Sequence, residues 1–580
     1  MTRTKRAIGG LCVTAIFFIL IESCFFLAGY SERAPFFIEK DDIDGNNWLI
    51  TNALVGDNWF RTPEWESRIK TPRLERFHAD KSPTTFRVFV LGESAAYGTL
   101  LTDTSTWARF LEHLLRESQD PALPQKNIEV INCGIRASTT DLYPAIASEL
   151  MGYEPDLFIL YAGHNEYYGV SEPSAFHQLG LVRWVSQLRS DNTKPDPQNI
   201  GIKPQNAIGI DSEIHQRVFT DFQSNLDRFL STIGDTPLLL MGPVSNDFYA
   251  PLGSMPLPRN IQGEVDALIE ASEHTPDKVN EKEESKLRQW AKQYPRHSGL
   301  RHAAGILDVQ KGQLDQAQIN FKASVETDTI PLRARENIRT HLASLHDPEN
   351  NKRWVDLEGV LRSASPNKSI GYDLILDHVH PGVHGSFLIA KAAAEAIAEE
   401  SDWGILVGTD LIPNFIQARK IANVTTIDEV LSFSMAKRFH HLHGISAAAS
   451  TPRALRALHL KETQNMSRLN RTERYALTSW RQNNLEVHFA HMQILMEQGH
   501  KHKALKAARR SVLSRKGRAD AHLDLARLLV ANNKLDEARD EVVEAFLWSD
   551  ELGDVQDVME MVGLKSFDDR SQNAKKESPK

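Results

Sequence analysis

From residue 84 onward the chain repeats one pattern, and that pattern leaves few architectures open. Short apolar, β-branched runs alternate with amphipathic stretches of helical period. The runs fall at 86–91 (FRVFVL), 128–132, 157–161 and 238–241. Between them, Trp107, Phe110, Leu111, Leu114 and Leu115 share one helical face within 104–118. Ile214, Val218, Phe219, Phe222, Leu226, Phe229 and Leu230 do the same within 211–233. A strand that is apolar along its whole length needs cover on both faces, and helices in the connections supply it. The expected class is therefore α/β, a three-layer α/β/α arrangement around a parallel sheet. Sites in such sheets form at the carboxyl ends of the strands.

The N-terminus carries a different signal. Arg3, Lys5 and Arg6 precede an apolar run, 7–29, interrupted by Glu22 and Ser23, and the acidic residues Glu39, Asp41, Asp42 and Asp44 follow. A basic flank before and an acidic flank after set the orientation of a spanning helix, and about 20 apolar residues suffice to cross a bilayer. This predicts a cytoplasmic stub at 1–6, a transmembrane signal anchor at 7–29, and a single-pass inner-membrane protein whose body faces the periplasm or outside. A cleaved signal peptide is the alternative. Residues 30–83 read as a juxtamembrane segment rich in Asn, Asp, Pro and aromatics. Of three cysteines, Cys12 and Cys24 lie in the apolar run, so Cys133 has no partner for a disulfide in the body. The net charge of −9, with no basic stripe, argues against a nucleic-acid partner.

Within 259–350 the alternation stops and the chain turns charged and helical. Gly312, Ala317 and Phe321 have the spacing of one tetratricopeptide (TPR) helix pair, so the stretch reads as a helical insertion into the α/β domain. Beyond 401 the chain is helical again. Gly499, Ala504, Ala508 and Val512 recur as Asn533, Ala538, Val542 and Ala545, and Ala504 to Ala538 is 34 residues, the TPR period. A further unit is expected at 552–564. The region 401–570 is thus read as helical with TPR-like repeats that bind a protein partner, and 571–580 as a disordered tail.

Four segments carry chemistry. GESAAYG, 92–98, follows the first strand and puts Ser94 on a strand-to-helix turn; helix N-cap is the plainer role for such a serine. NCGIRAST, 132–139, puts Gly134 after the second strand, where a main-chain N–H can approach a substrate oxygen. YAGHNEYYG, 161–169, puts the amide of Asn165 after the third. DHVHPGVHG, 377–385, spaces Asp377 and His380 so that the carboxylate can orient the imidazole. His378, His380 and His384 also suggest a metal, but no cysteine or acidic ligand set accompanies them. Asn246 and Asp247, after the fourth strand, are candidates to contact substrate or to form an ordinary turn.

In this order, the four segments resemble blocks I, II, III and V of the SGNH/GDSL hydrolase family, over 84–258 and 351–400. The resemblance implies a Ser94–His380–Asp377 triad, with an oxyanion hole from Ser94, Gly134 and Asn165. It implies an esterase or O-acyltransferase working on an acylated glycan or lipid, with no metal and no cofactor. Two positions depart from the family pattern: Glu93 stands where Asp is usual, and Glu166 follows Asn165 where Asp is usual. A catalytically inactive SGNH–TPR scaffold in envelope polysaccharide assembly is the alternative.

Overall fold

The structure is a computed structural model that describes residues 17–24, 35–52, 55, 72–168, 207–442, 451–483, 485–515, 517–549 and 552–564. An antiparallel sheet comes first, from β1 (Phe37–Asp41), β2 (Asn47–Thr51) and β3 (Arg76–His78), in the order β1-β2-β3. The sequence stretch that forms it shows no clean period. Phe36, Phe37, Leu49 and Phe77 bury themselves against Phe89 of the next strand and helices beyond it.

The α/β body follows as β4 (Thr85–Gly92), α1 (Trp107–Glu117), β5 (Asn127–Asn132), α2 (Tyr143–Leu150), β6 (Leu157–Tyr161), α3 (Glu213–Ile233) and β7 (Leu238–Met241). Four helices then intervene: α4 (Arg259–His274), α5 (Glu281–Gln293), α6 (Ser298–Gln310) and α7 (Leu314–Thr327). Helix α8 (Glu336–Ser344) returns to the sheet, and β8 (Lys352–Val355), α9 (Leu357–Ala364) and α10 (Val383–Ala398) complete it. The five strands are parallel, in the order β5-β4-β6-β7-β8.

Side chains of β4 alternate between two cores, as strand geometry requires. Val88 and Val90 pack with Trp107, Phe110 and Leu114 of α1, with Leu357 and Leu361 of α9, and with Ile389, Ala390 and Ala393 of α10. Phe89 and Leu91 pack on the opposite face with Ile146 and Leu150 of α2, Phe222, Leu226 and Phe229 of α3, and Ile338 and Leu342 of α8. Thr106 and Ser212 cap the starts of α1 and α3 by accepting from the main-chain N–H of Arg109 and His215.

The C-terminal region is helical: α11 (Phe415–Ile421), α12 (Thr426–Leu442), α13 (Thr451–Met466), α14 (Arg471–Asn483), α15 (Val487–Glu497), α16 (Lys501–Ser514), α17 (Ala519–Val530), α18 (Leu535–Trp548) and α19 (Leu552–Met561). Ala504, Ala508 and Val512 of α16 and Ala538, Val542 and Ala545 of α18 are buried in one cluster. The turns before these two helices contain Gly499 and Asn533, both with positive φ. Ile43, from the turn after β1, is buried in the same cluster, so the antiparallel sheet sits on these helices.

One expectation is overturned. No helix among the described residues is long and apolar enough to cross a membrane. Of the run 7–29, only 17–24 is described, and it is helical. Ser23 Oγ donates to the Ile19 carbonyl there at 2.7 Å. The transmembrane anchor, and with it the single-pass inner-membrane location, is not supported. Residues 1–6 and 571–580 lie outside the described residues.

Candidate active site

The turn bearing Ser94 is built by glycines and an acid. A Cβ on Gly92 would lie 2.2 Å from the Tyr161 carbonyl oxygen, so only glycine lets β4 end this close to β6. One helical turn, Ser94–Tyr97, follows and stops at Gly98, which takes the left-handed conformation at φ 81°. The carboxylate of Glu93 reaches across to β6 and accepts from the main-chain N–H groups of Gly163, His164 and Asn165 at 2.8, 3.1 and 3.2 Å. Burial pushes the Glu93 carboxyl up to about 7, against the pull of those three donors. Glu93 therefore ties the turn of Ser94 to the turn of Asn165.

Asp377 and His380 come from the loop before α10. Asp377 Oδ1 accepts from the N–H groups of Val379 and His380 at 2.9 and 2.8 Å. Its Oδ2 lies 2.6 Å from His380 Nδ1, and His380 Nε2 lies 2.7 Å from Ser94 Oγ. The three side chains thus form a continuous hydrogen-bonded relay. The pattern places the imidazole proton on Nδ1 and leaves Nε2 to accept from the serine hydroxyl. Burial alone would raise the Asp377 carboxyl. The charges of His380 and His378 and its hydrogen bonds outweigh that and hold it well below the usual range. Burial drives neighbouring His378 down to about 3. Phe439 of α12 stacks on His378 and meets His380 edge-on, 5.5 Å between ring centres, so the C-terminal region covers the loop.

The three residues expected as oxyanion donors differ in readiness. Asn165 Nδ2 is buried with no hydrogen-bond partner among the described residues. An orphaned amide donor is costly to bury, and its turn is tied through Glu93 to the turn of Ser94. The Gly134 N–H is engaged: it donates to Asn132 Oδ1 at 2.9 Å, while Asn132 Nδ2 donates to the Ala96 carbonyl at 3.0 Å. A Cβ on Gly134 would meet the Tyr97 nitrogen at 2.7 Å, so the second turn packs directly on the turn of Ser94. Glu166 accepts from Thr140 N and Oγ1 at 3.1 and 2.9 Å, which joins the second and third turns.

Asn246 and Asp247 make bonds within the chain. Asn246 Nδ2 donates to the Ile375 carbonyl at 2.8 Å and its Oδ1 accepts from Phe248 N–H at 2.8 Å. Asp247 pairs with Arg362 at 2.7 Å and accepts from Ile370 N–H at 2.9 Å. Both brace the loop that carries Asp377. His384 packs its ring 4.5 Å from that of Phe415, away from this cluster. Asp377, His378 and His380 do present ligand atoms within 4.8 Å of one another, but both ring nitrogens of His380 are occupied by Asp377 and Ser94.

Sequence reasoning did not find Asn132, or the cross-ties made by Glu93 and Glu166, although both glutamates were visible as departures from a motif. Nor did it find Arg73, whose guanidinium reaches the turn of Ser94 from the segment before β3. No family model matches the chain, and no curated protein matches it. The arrangement can withdraw a proton from Ser94 while offering a buried amide to developing negative charge, which is the chemistry of acyl transfer.

Proposed function

We propose that the chain is a serine esterase or O-acyltransferase of the SGNH/GDSL type, whose C-terminal helices are TPR-like repeats. The observation that carries this reading is the relay Ser94–His380–Asp377, closed at 2.7 and 2.6 Å without any movement. As Ser94 Oγ attacks the ester carbonyl, its proton passes to His380 Nε2. The imidazolium is steadied by Asp377, and the oxyanion is met by Asn165 Nδ2 and the Ser94 N–H. The Gly134 N–H joins them once it turns from Asn132. The C–O bond then breaks, and the departing alcohol takes the proton from His380. Water, or an acceptor hydroxyl, gives its proton to His380 and attacks the acyl-enzyme, which returns free Ser94. With water the product is a carboxylic acid; with an acceptor it is a new ester. Acylated glycans and lipids fit this chemistry as substrates, and a protein partner at the helices is part of the proposal.

Purified protein should turn over short p-nitrophenyl esters or acetylated saccharides and be labelled by a fluorophosphonate. Ser94→Ala should abolish labelling and cut turnover by about 10³-fold or more. Equal turnover in the two proteins would discard the reading. Folded wild-type protein that stays unlabelled would favour the inactive scaffold.

A further inference from the structure

The turn that carries Ser94 is a single turn of helix with only three main-chain bonds of its own: Tyr97 N–H to Glu93 O at 2.8 Å, Gly98 N–H to Ser94 O at 3.0 Å and Thr99 N–H to Ser94 O at 3.2 Å. So short a helix has no stability by itself, and its last carbonyls have no helical partner. Arg73 supplies one. Its Nε donates to the Tyr97 carbonyl at 2.6 Å, and its Nη2 donates to those of Gly98 and Leu101 at 2.7 and 3.1 Å. The guanidinium also lies over the Tyr97 ring, 4.7 Å from its centre, and pairs with Asp103. The side chain is only 10% exposed, so little water competes for these bonds. Its planar fork of donors serves three acceptors at once, which a lysine cannot match.

Arg73 is itself held from the far side. Thr51 Oγ1 of β2 donates to its carbonyl at 3.0 Å. Next along the chain, Leu74 lies under Gly517, where a Cβ would be 2.7 Å from Leu74 Cδ1, and Gly517 has φ +80°. Arg76 pairs with Glu544 of α18, and Lys40 donates to the Ser549 carbonyl at 3.0 Å. A second tie reaches the same loop: Thr102 Oγ1 donates to Asp428 Oδ1 of α12 at 3.1 Å. A face of the C-terminal helices is thus spent within the chain, on the segment that holds the Ser94 turn.

The geometry points to Arg73 as a positioning residue for Ser94, through which the C-terminal helices set the aim of the nucleophile. This rests on the reading of Ser94 as nucleophile, and the test separates the two. Full-length wild type, Arg73→Lys, Arg73→Ala and Leu74→Ala are compared in fluorophosphonate labelling, in kcat and KM on p-nitrophenyl acetate, and in amide hydrogen exchange at residues 97–103. Arg73→Ala is expected to lose about 100-fold in labelling rate and kcat with KM changed less than about threefold, because a small displacement of a reacting atom costs on that scale. Arg73→Lys should lose about tenfold and Leu74→Ala about threefold, each with faster exchange at 97–103. Guanidinium ion in the buffer should restore part of the Arg73→Ala rate. Labelling of Arg73→Ala within about twofold of wild type overturns the proposal, as does unchanged exchange in Arg73→Lys and Leu74→Ala. If Arg73→Ala does not fold, the lysine and Leu74 variants decide. A wild type that is never labelled refutes the nucleophile, while exchange still reports on what Arg73 holds.

Discussion

Two loops at the carboxyl edge of the sheet carry the same kinds of residue and use them in opposite ways. After β6, Asn165 keeps a buried amide without a partner among the described residues. After β7, Asn246 bonds Ile375 and Phe248 through its amide nitrogen and oxygen, and Asp247 bonds Arg362 and Ile370. A polar side chain whose nitrogen and oxygen are bonded inside the chain stabilises the fold and has less capacity left for a substrate. One held in place with capacity to spare is costly to keep folded, and that cost is what chemistry at the site would draw on. The distinction lies in leftover hydrogen-bonding capacity, not in residue type or position on the strand.

Substitutions on the two sides should therefore separate activity from stability. His380→Ala should lower kcat by about 10⁴-fold or more with little change in melting temperature, read by ester turnover and calorimetry. Asn165→Ala should lower kcat by about 10²- to 10³-fold and leave stability unchanged or slightly raised, since an unpaired donor is removed. Asn246→Ala reverses the pattern. Loss of about 1–3 kcal/mol for each stranded main-chain group is expected in denaturant titration, with kcat per folded molecule nearly intact. If Asn246→Ala abolishes turnover at full stability, the contrast between the loops collapses.

A weaker test uses the buried pair His488 and Asp428, 3.0 Å apart, which ties α15 to α12. Burial alone would lower the His488 pKa, but Asp428 beside it raises it above its ordinary value. Burial would raise Asp428, but His488 and the Thr425 bonds bring it down to about 2. A raised histidine contributes stability below its ordinary pKa and loses it as pH rises through the raised value. A lowered aspartate contributes above its ordinary pKa and loses that as pH falls toward about 2. Melting temperature should thus fall by a few degrees as pH climbs above about 6.5, and Asp428→Asn should flatten that slope.

Much of the sheet was legible because β4, β6 and β7 are buried along their whole length, so their sequences are mostly apolar, with Arg87 the charged exception in β4. Strand β8 (KRWV) was missed because it lies at the sheet edge, with three of its four residues half-exposed. The sheet β1–β3 was missed because its strands mix Glu39, Lys40, Asp41 and Arg76 with the apolar residues, and the burial partners of those residues lie far along the chain. Ser94, Asp377 and His380 could be read from local motifs. The braces could not: Asn246 meets Ile375 129 positions away, and Arg73 meets Tyr97 from a segment with no pattern of its own. The run 7–29 was read from its apolar composition and charged flanks, and among the described residues no helix is long and apolar enough to cross a membrane.

The 286 positions that separate Ser94 from His380 have a consequence for a chain still being made. At about 5–20 residues per second, a ribosome adds the imidazole tens of seconds after the serine, and the edge strand β8 arrives only shortly before it. During that interval the sheet is short of its last strand and the hydroxyl has no base. On the proposed reading of Ser94 as nucleophile, the newborn protein stays chemically quiet until residue 380 has emerged.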